Sequence, residues 1–119
     1  MISKNELRDW LDEDARKQYA KKLEKVFDES IKRNALNGKT TFYISTGRVN
    51  NAARTHEKTG FYEVWHTSKL SDVNRKKVKR EVLEKYRQAG FDIQFVREDC
   101  GWNSSYDAVQ FKDIHKVLE

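Results

Sequence analysis

Residues 71–95 read SDVNRKKVKREVLEKYRQAGFDIQF. Ser71 is a good N-cap, and Asp72 suits the positive end of a helix. Val73, Val78, Val82, Leu83 and Tyr86 recur at helical spacing and predict a buried stripe. Gly90 ends the pattern with the one residue type at home in the left-handed conformation of a C-cap, and Phe91 stands where the accompanying apolar contact belongs. Beyond it Phe91, Ile93 and Phe95 alternate with Asp92, Gln94 and Arg97, the period of a half-buried strand. A helix that turns at once into a strand sets the class: α+β, with helices laid on a sheet.

Working outward, residues 4–36 form a second helical pattern. Ser3 caps it, with Glu6 three residues on. Leu7, Trp10, Leu11, Ala15, Tyr19, Leu23, Val26, Phe27 and Ile31 follow at spacings of mostly three and four, and Asn37-Gly38 stops it. At 1.5 Å per residue such a helix is roughly 45 Å long, more than a four-stranded sheet of about 20 Å can cover. It is expected either to break near residues 12–14 or to project and pair with a second copy, since spacings of three and four suit coiled-coil packing. Residues 40–46 predict a strand with Phe42 and Ile44 inward. Residues 61–66 predict another, on the β-favouring Phe61, Tyr62, Val64 and Trp65. Residues 98–104 read as a turn, residues 106–111 as a strand with Val109 and Phe111 inward, and residues 113–118 as a last helical turn. The expected order is α-β-β-α-β-β: two helices on a four-stranded, mainly antiparallel sheet, one domain over 1–119.

Composition narrows the function classes. Leu, Ile, Val and Phe total 27 of 119 residues, against 36% charged, which predicts a thin core under a charged surface. Fourteen aromatics favour folding over disorder. A single cysteine, Cys100, allows no intrachain disulfide and fits a reducing compartment. Acidic residues at 6, 9, 12, 13 and 14, with no apolar run after them, predict neither a signal peptide nor a membrane span, hence a cytoplasmic protein. The net charge of +5 is uneven: residues 71–90 carry +4 and residues 91–119 carry −3. That asymmetry suits an anionic partner or self-association.

Two candidate sites emerge. Residues 46–60 form a long polar loop in which Arg48, Asn50, Asn51, Arg54, His56 and Lys58 could hold an anionic, nucleotide-like ligand, because arginine contacts phosphate in bidentate fashion. The loop is not a P-loop, lacking Gly-Lys-Ser/Thr after a four-residue spacer. On the second helix Arg75, Lys76, Lys79 and Arg80 fan around Val78 and could neutralise phosphates or meet a partner protein, with Trp102 as a stacking aromatic. His56, His66 and His115 and Cys100 lie at no metal-ligand spacing. Glu98 and Asp99 beside Cys100 oppose a reactive thiolate. No metal, cofactor or catalytic constellation is expected. A histidine general base, His56 or His66, would need a partner that the sequence does not assign.

Two resemblances bear on this reading. Residues 51–61 (NAARTHEKTGF) resemble a late segment of acetyltransferases of the GNAT superfamily, but the Gly-rich turn that should precede it is missing. Over most of the chain, the long first helix running into Gly38-Lys39-Thr40-Thr41-Phe42-Tyr43-Ile44, the junction Val82-Leu83-Glu84-Lys85-Tyr86-Arg87-Gln88-Ala89-Gly90-Phe91-Asp92-Ile93 and the strand after Ser104-Ser105-Tyr106 resemble small uncharacterised proteins of bacteriophages and prophages. That resemblance implies a phage accessory protein, one that binds host machinery or nucleic acid during infection. The missing catalytic constellation, the small size and the basic loop lead to the expectation of a non-enzymatic module in the host cytoplasm that binds a host protein or an anionic, nucleotide-like ligand and serves takeover or anti-defence. The alternative is direct DNA or RNA binding through residues 72–89 and 46–60. A homodimer through the N-terminal helix accompanies either reading.

Overall fold

The computed structural model describes residues 1–46, 64–67, 69–101 and 104–119, with the side chains of 97–101 and 104–106 outside the description. The chain folds as α+β. Helix α1 spans Lys4–Leu36, strand β1 Phe42–Ser45, helix α2 Asp72–Gln88, strand β2 Asp92–Gly101 and strand β3 Ser104–Lys112; a 3₁₀ segment, Ile114–Leu118, follows. The sheet is antiparallel, with β3 between β1 and β2.

Both helices are punctuated as their sequences require. The Ser3 hydroxyl accepts the Glu6 N–H at 3.1 Å, and the Ser71 hydroxyl accepts the Asn74 N–H at 3.3 Å. Both end in the same motif. Gly38 (φ +73°) and Gly90 (φ +106°) take the left-handed conformation. Lys39 N–H then returns to the Asn34 carbonyl at 2.8 Å, and Phe91 N–H to Tyr86 at 3.1 Å. The expected apolar contact is present after α2: the Phe91 and Tyr86 rings meet edge-on, 5.8 Å between centroids.

The core lies between the helices and one sheet face. Register places Phe42 and Ile93 on either side of Phe111, and Ile44 and Phe95 on either side of Val109. Val109 and Phe111, on the central strand, are fully buried, as are Leu23 and Phe27 of α1. Val78, Val82 and Leu83 of α2 close the other side. Phe111 is the hub: it stacks on Phe42 at 5.2 Å and meets Phe27, Phe91 and Tyr86 at 5.6, 6.0 and 6.1 Å. Across the helix pair Lys85 bonds Glu24 at 2.9 Å, and the Tyr86 hydroxyl donates to Asp28 at 2.5 Å.

Several expectations are corrected. The sheet has three strands among the described residues, not four. The strand expected at 61–66 is absent from its described part: Val64 and Trp65 are helical, and Thr67 N–H returns to the Val64 carbonyl. A short apolar run does not by itself distinguish strand from helix, and β-propensity yields to tertiary context. The turn expected at 98–104 is shorter, because β2 runs to Gly101 and β3 starts at Ser104, with a register shift between Asp99 and Gly101. Val73 and Phe95, expected inward, are 76% and 60% exposed. Val73 lies in the first turn of α2, on its outer face. Phe95 leans on the Trp65 ring at 6.1 Å, at a place where the helices leave the sheet uncovered.

Helix α1 does not break at residues 12–14; its 33 residues run unbroken for about 50 Å. Its apolar row Leu7, Leu11, Ala15, Tyr19, Leu23, Phe27, Ile31 advances in steps of four. Each step overshoots a full turn by about 40°, so the row winds around the helix. Tyr19, Leu23 and Phe27 meet the core, but Leu7 lies about 160° around from Leu23. Leu7, Trp10 and Leu11 are accordingly 51%, 51% and 63% exposed.

The two ends of α1 should respond differently to truncation. Phe27→Ala, at a fully buried hub contact, is expected to cost about 3–5 kcal/mol in urea unfolding. Leu11→Ala, measured at low protein concentration so that self-association does not contribute, should stay within about 0.5 kcal/mol, as for exposed positions. Equal losses at both sites would contradict the packing described.

Candidate ligand cleft

The winding of α1 shapes a cleft. Where the row turns from solvent to core, at Ala15 and Tyr19, the helix surface faces Val64, Thr67, Lys69 and Leu70 among the described residues. A cavity of about 580 Å³ lies between them. Its apolar lining is Ala15, Tyr19, Val64 and Leu70; the exposed Lys22 of α1 and Lys69 of the facing segment line it too, with Asp14, Gln18 and Thr67. Such a size and such a mixture of apolar wall and few polar groups are usual for small-molecule sites.

The facing segment is held by side chains rather than by strand pairing. The Tyr19 hydroxyl, buried, donates to the Trp65 carbonyl at 2.9 Å. Arg75, from the first turn of α2, donates to the Thr67 carbonyl at 2.5 Å and pairs with Asp72. Thr67 accepts the Lys69 N–H at 3.3 Å. Trp65 and Leu70 are buried beneath, and the Lys79 ammonium sits 4.1 Å over the Trp65 ring. One tyrosine of α1 and one arginine of α2 thus fix the cleft's far wall. Burial pushes the Tyr19 phenol up to about 12, against the pull of the Arg75 charge, so it stays a neutral donor.

Nearby, His66 Nε2 lies 2.7 Å from the Thr46 carbonyl. A carbonyl only accepts, so this nitrogen carries the proton. Thr46 in turn donates its N–H and its hydroxyl to the Asp107 carbonyl at 2.9 and 3.1 Å. His66, considered from sequence as a general base, therefore clasps the end of β1 to the segment bearing Trp65. Among the described residues no group of three or more His, Cys, Asp or Glu side chains converges on a metal position. Among them, too, no helix is long and apolar enough to cross a membrane.

The residues singled out by sequence fare unevenly. Arg48, Asn50, Asn51, Arg54, His56, Lys58 and Trp102 lie outside the described residues. The four cations singled out on α2 do not share one face. Arg75 and Lys79, four apart, turn inward onto the Thr67 carbonyl and the Trp65 ring, while Lys76 and Arg80 are exposed with Lys77. Sequence reasoning missed Lys22 and Lys69 as a pair. Lys22 was legible as a neighbour of Tyr19 on the helix, three residues on; nothing local announces that Lys69 faces it. Compared with protein families, curated proteins and solved structures, the chain matches none.

Lys79 allows a pH test. Burial first, then the Arg75 and Lys76 charges, bring its ammonium down to about 8. The unfolded chain holds that proton up to the ordinary 10.5, the folded chain only to about 8. Below the lower value both states are charged, and the folded one bears the whole penalty; between the two values the penalty lifts and stability rises with pH. Relative to Lys79→Met, wild type is expected to gain urea stability as pH climbs from neutral through 8 toward 10.5. A difference independent of pH would contradict the depressed value.

Proposed function

We propose that the protein is a non-catalytic binding module whose ligand is an anionic, nucleotide-like molecule seated between α1 and residues 64–70. One observation carries this: a single cavity is lined by the apolar Tyr19 and Leu70 and by two exposed lysines from different elements, Lys22 and Lys69. A flat heterocycle suits the wall and a phosphate suits the pair of ammonium groups, each lysine acting as a point charge. Asp14, elsewhere in the lining, offers an acceptor for hydroxyl or amino groups of such a ligand and disfavours a second phosphate beside it. Under the phage-accessory reading the ligand comes from the host, and its capture serves takeover or anti-defence. A homodimer formed through the exposed end of α1 belongs to the same proposal.

Titration calorimetry with a panel of nucleoside mono-, di- and triphosphates tests the cleft. Binding is expected for at least one member, weakening with added salt. Lys22→Ala and Lys69→Ala should each lower affinity about tenfold, the equivalent of about 1.4 kcal/mol. No heat from any member, or affinity untouched by both substitutions, would refute the assignment.

A further inference from the structure

The projecting end of α1 and the start of α2 are complementary, and neither is covered by its own chain among the described residues. On α1 Trp10 has Glu6 one turn before it and Asp14 one turn after, beside the Leu7–Leu11 row. Between Glu6 and Asp14 the helix carries five acids and one arginine. On α2 the exposed Val73 shares a face with Lys76, Lys77 and Arg80, three, four and seven residues on. Between Asp72 and Arg80 there are five cations and one acid. One surface is apolar among acids, the other apolar among bases.

We propose that the end of α1 in one copy of the chain seats on the start of α2 in a second copy, and reciprocally, closing a symmetric dimer. The proposal rests on the homodimer reading and names the surface that receives the helix. Pairing two α1 ends alone would set acids against acids, and pairing two α2 faces would set cations against cations; the crossed arrangement opposes unlike charges at both seats. Two-fold symmetry makes the two seats identical, so a short helical segment is used twice and the buried area doubles. A nucleic acid is the poorer occupant of the α2 face. Its phosphates would leave Val73 and the leucines of α1 uncovered, and the acids of α1 would repel it. The own core cannot cover Leu7 and Leu11, because the winding row carries them to the far side of the helix.

Sedimentation velocity of the full chain over a range of concentrations reads the association, with circular dichroism confirming that α1 stays helical in each variant. Wild type is expected to dimerise. Trp10→Ala should raise the dimer dissociation constant by about tenfold or more, as for a central aromatic anchor. The pair Glu6→Lys with Asp14→Lys should do the same, and adding Lys76→Glu and Arg80→Glu to that pair should restore the dimer. A monomer at every concentration overturns the homodimer reading and its seat together. A dimer indifferent to Trp10→Ala, or one not restored by the four-fold charge exchange, overturns the seat alone. Assembly only upon addition of duplex DNA or RNA overturns it in favour of the nucleic acid.

Discussion

The fold depends on the packing of Phe111. It sits on the central strand, so its backbone is paired on both sides, to Phe42 and to Ile93. Its ring touches one aromatic from α1, one from α2, one from β1 and one from the junction between α2 and β2. With only 27 Leu, Ile, Val and Phe in the chain, the core cannot rely on many aliphatic layers. Few large rings bury the area instead, and edge-on contacts add to the area term. This concentrates the cost of error: truncating Phe111 removes ring contacts to both helices at once.

The same economy explains what the core leaves uncovered. A three-stranded sheet is about 14 Å wide at 4.8 Å per strand, while α1 is more than three times that length. Among the described residues only its C-terminal two thirds find a surface. The four-residue spacing of its apolar row makes this a matter of direction as well as length. A row at 3.5-residue spacing would keep one face toward a single partner, as in a coiled coil. A row of fours turns away from the sheet as it approaches the N-terminus. The cleft lies at that turn, where the helix is half on and half off the domain.

What could be read from sequence divides along the range of the interactions. Caps, glycine terminators and the helix–strand junction at Gly90 depend on residues within five of one another, and Ser3, Ser71, Gly38, Gly90 and Phe91 all behave as their local chemistry requires. The inward residues Phe42, Ile44, Val109 and Phe111 follow from alternation alone. Val64 and Trp65 are helical against their β-propensity, and Trp65 is held by Tyr19 and Lys79, 46 and 14 residues away in sequence. Val73 and Phe95 fit their periodic patterns, yet the finite reach of the neighbouring elements leaves them out. The cation run of α2 reads as one stripe in sequence. Helical geometry with one carbonyl at Thr67 and one ring at Trp65 divides it into two anchors and an exposed face. The cleft was the least legible, because its walls come from segments whose contact no local rule specifies.

The proposed cleft and the proposed seat are not independent. Asp14 lines the first and belongs to the acidic face of the second, one turn from Trp10. Arg75 holds the cleft wall through Thr67 and lies one residue from Lys76 on the receiving helix. Neutralising Asp14 in the seat removes a negative charge from the lining it shares with Lys22 and Lys69, which favours a phosphate there. By linkage the anion then strengthens the dimer by the same factor. The direction follows from the sign of one shared carboxylate: a ligand whose charge meets the lysines favours the assembled form, whereas a ligand that hydrogen-bonds to Asp14 competes with the second chain for it. Both behaviours trace to the row of fours on α1, which brings its polar neighbours into the cleft at the place where its apolar side leaves the domain.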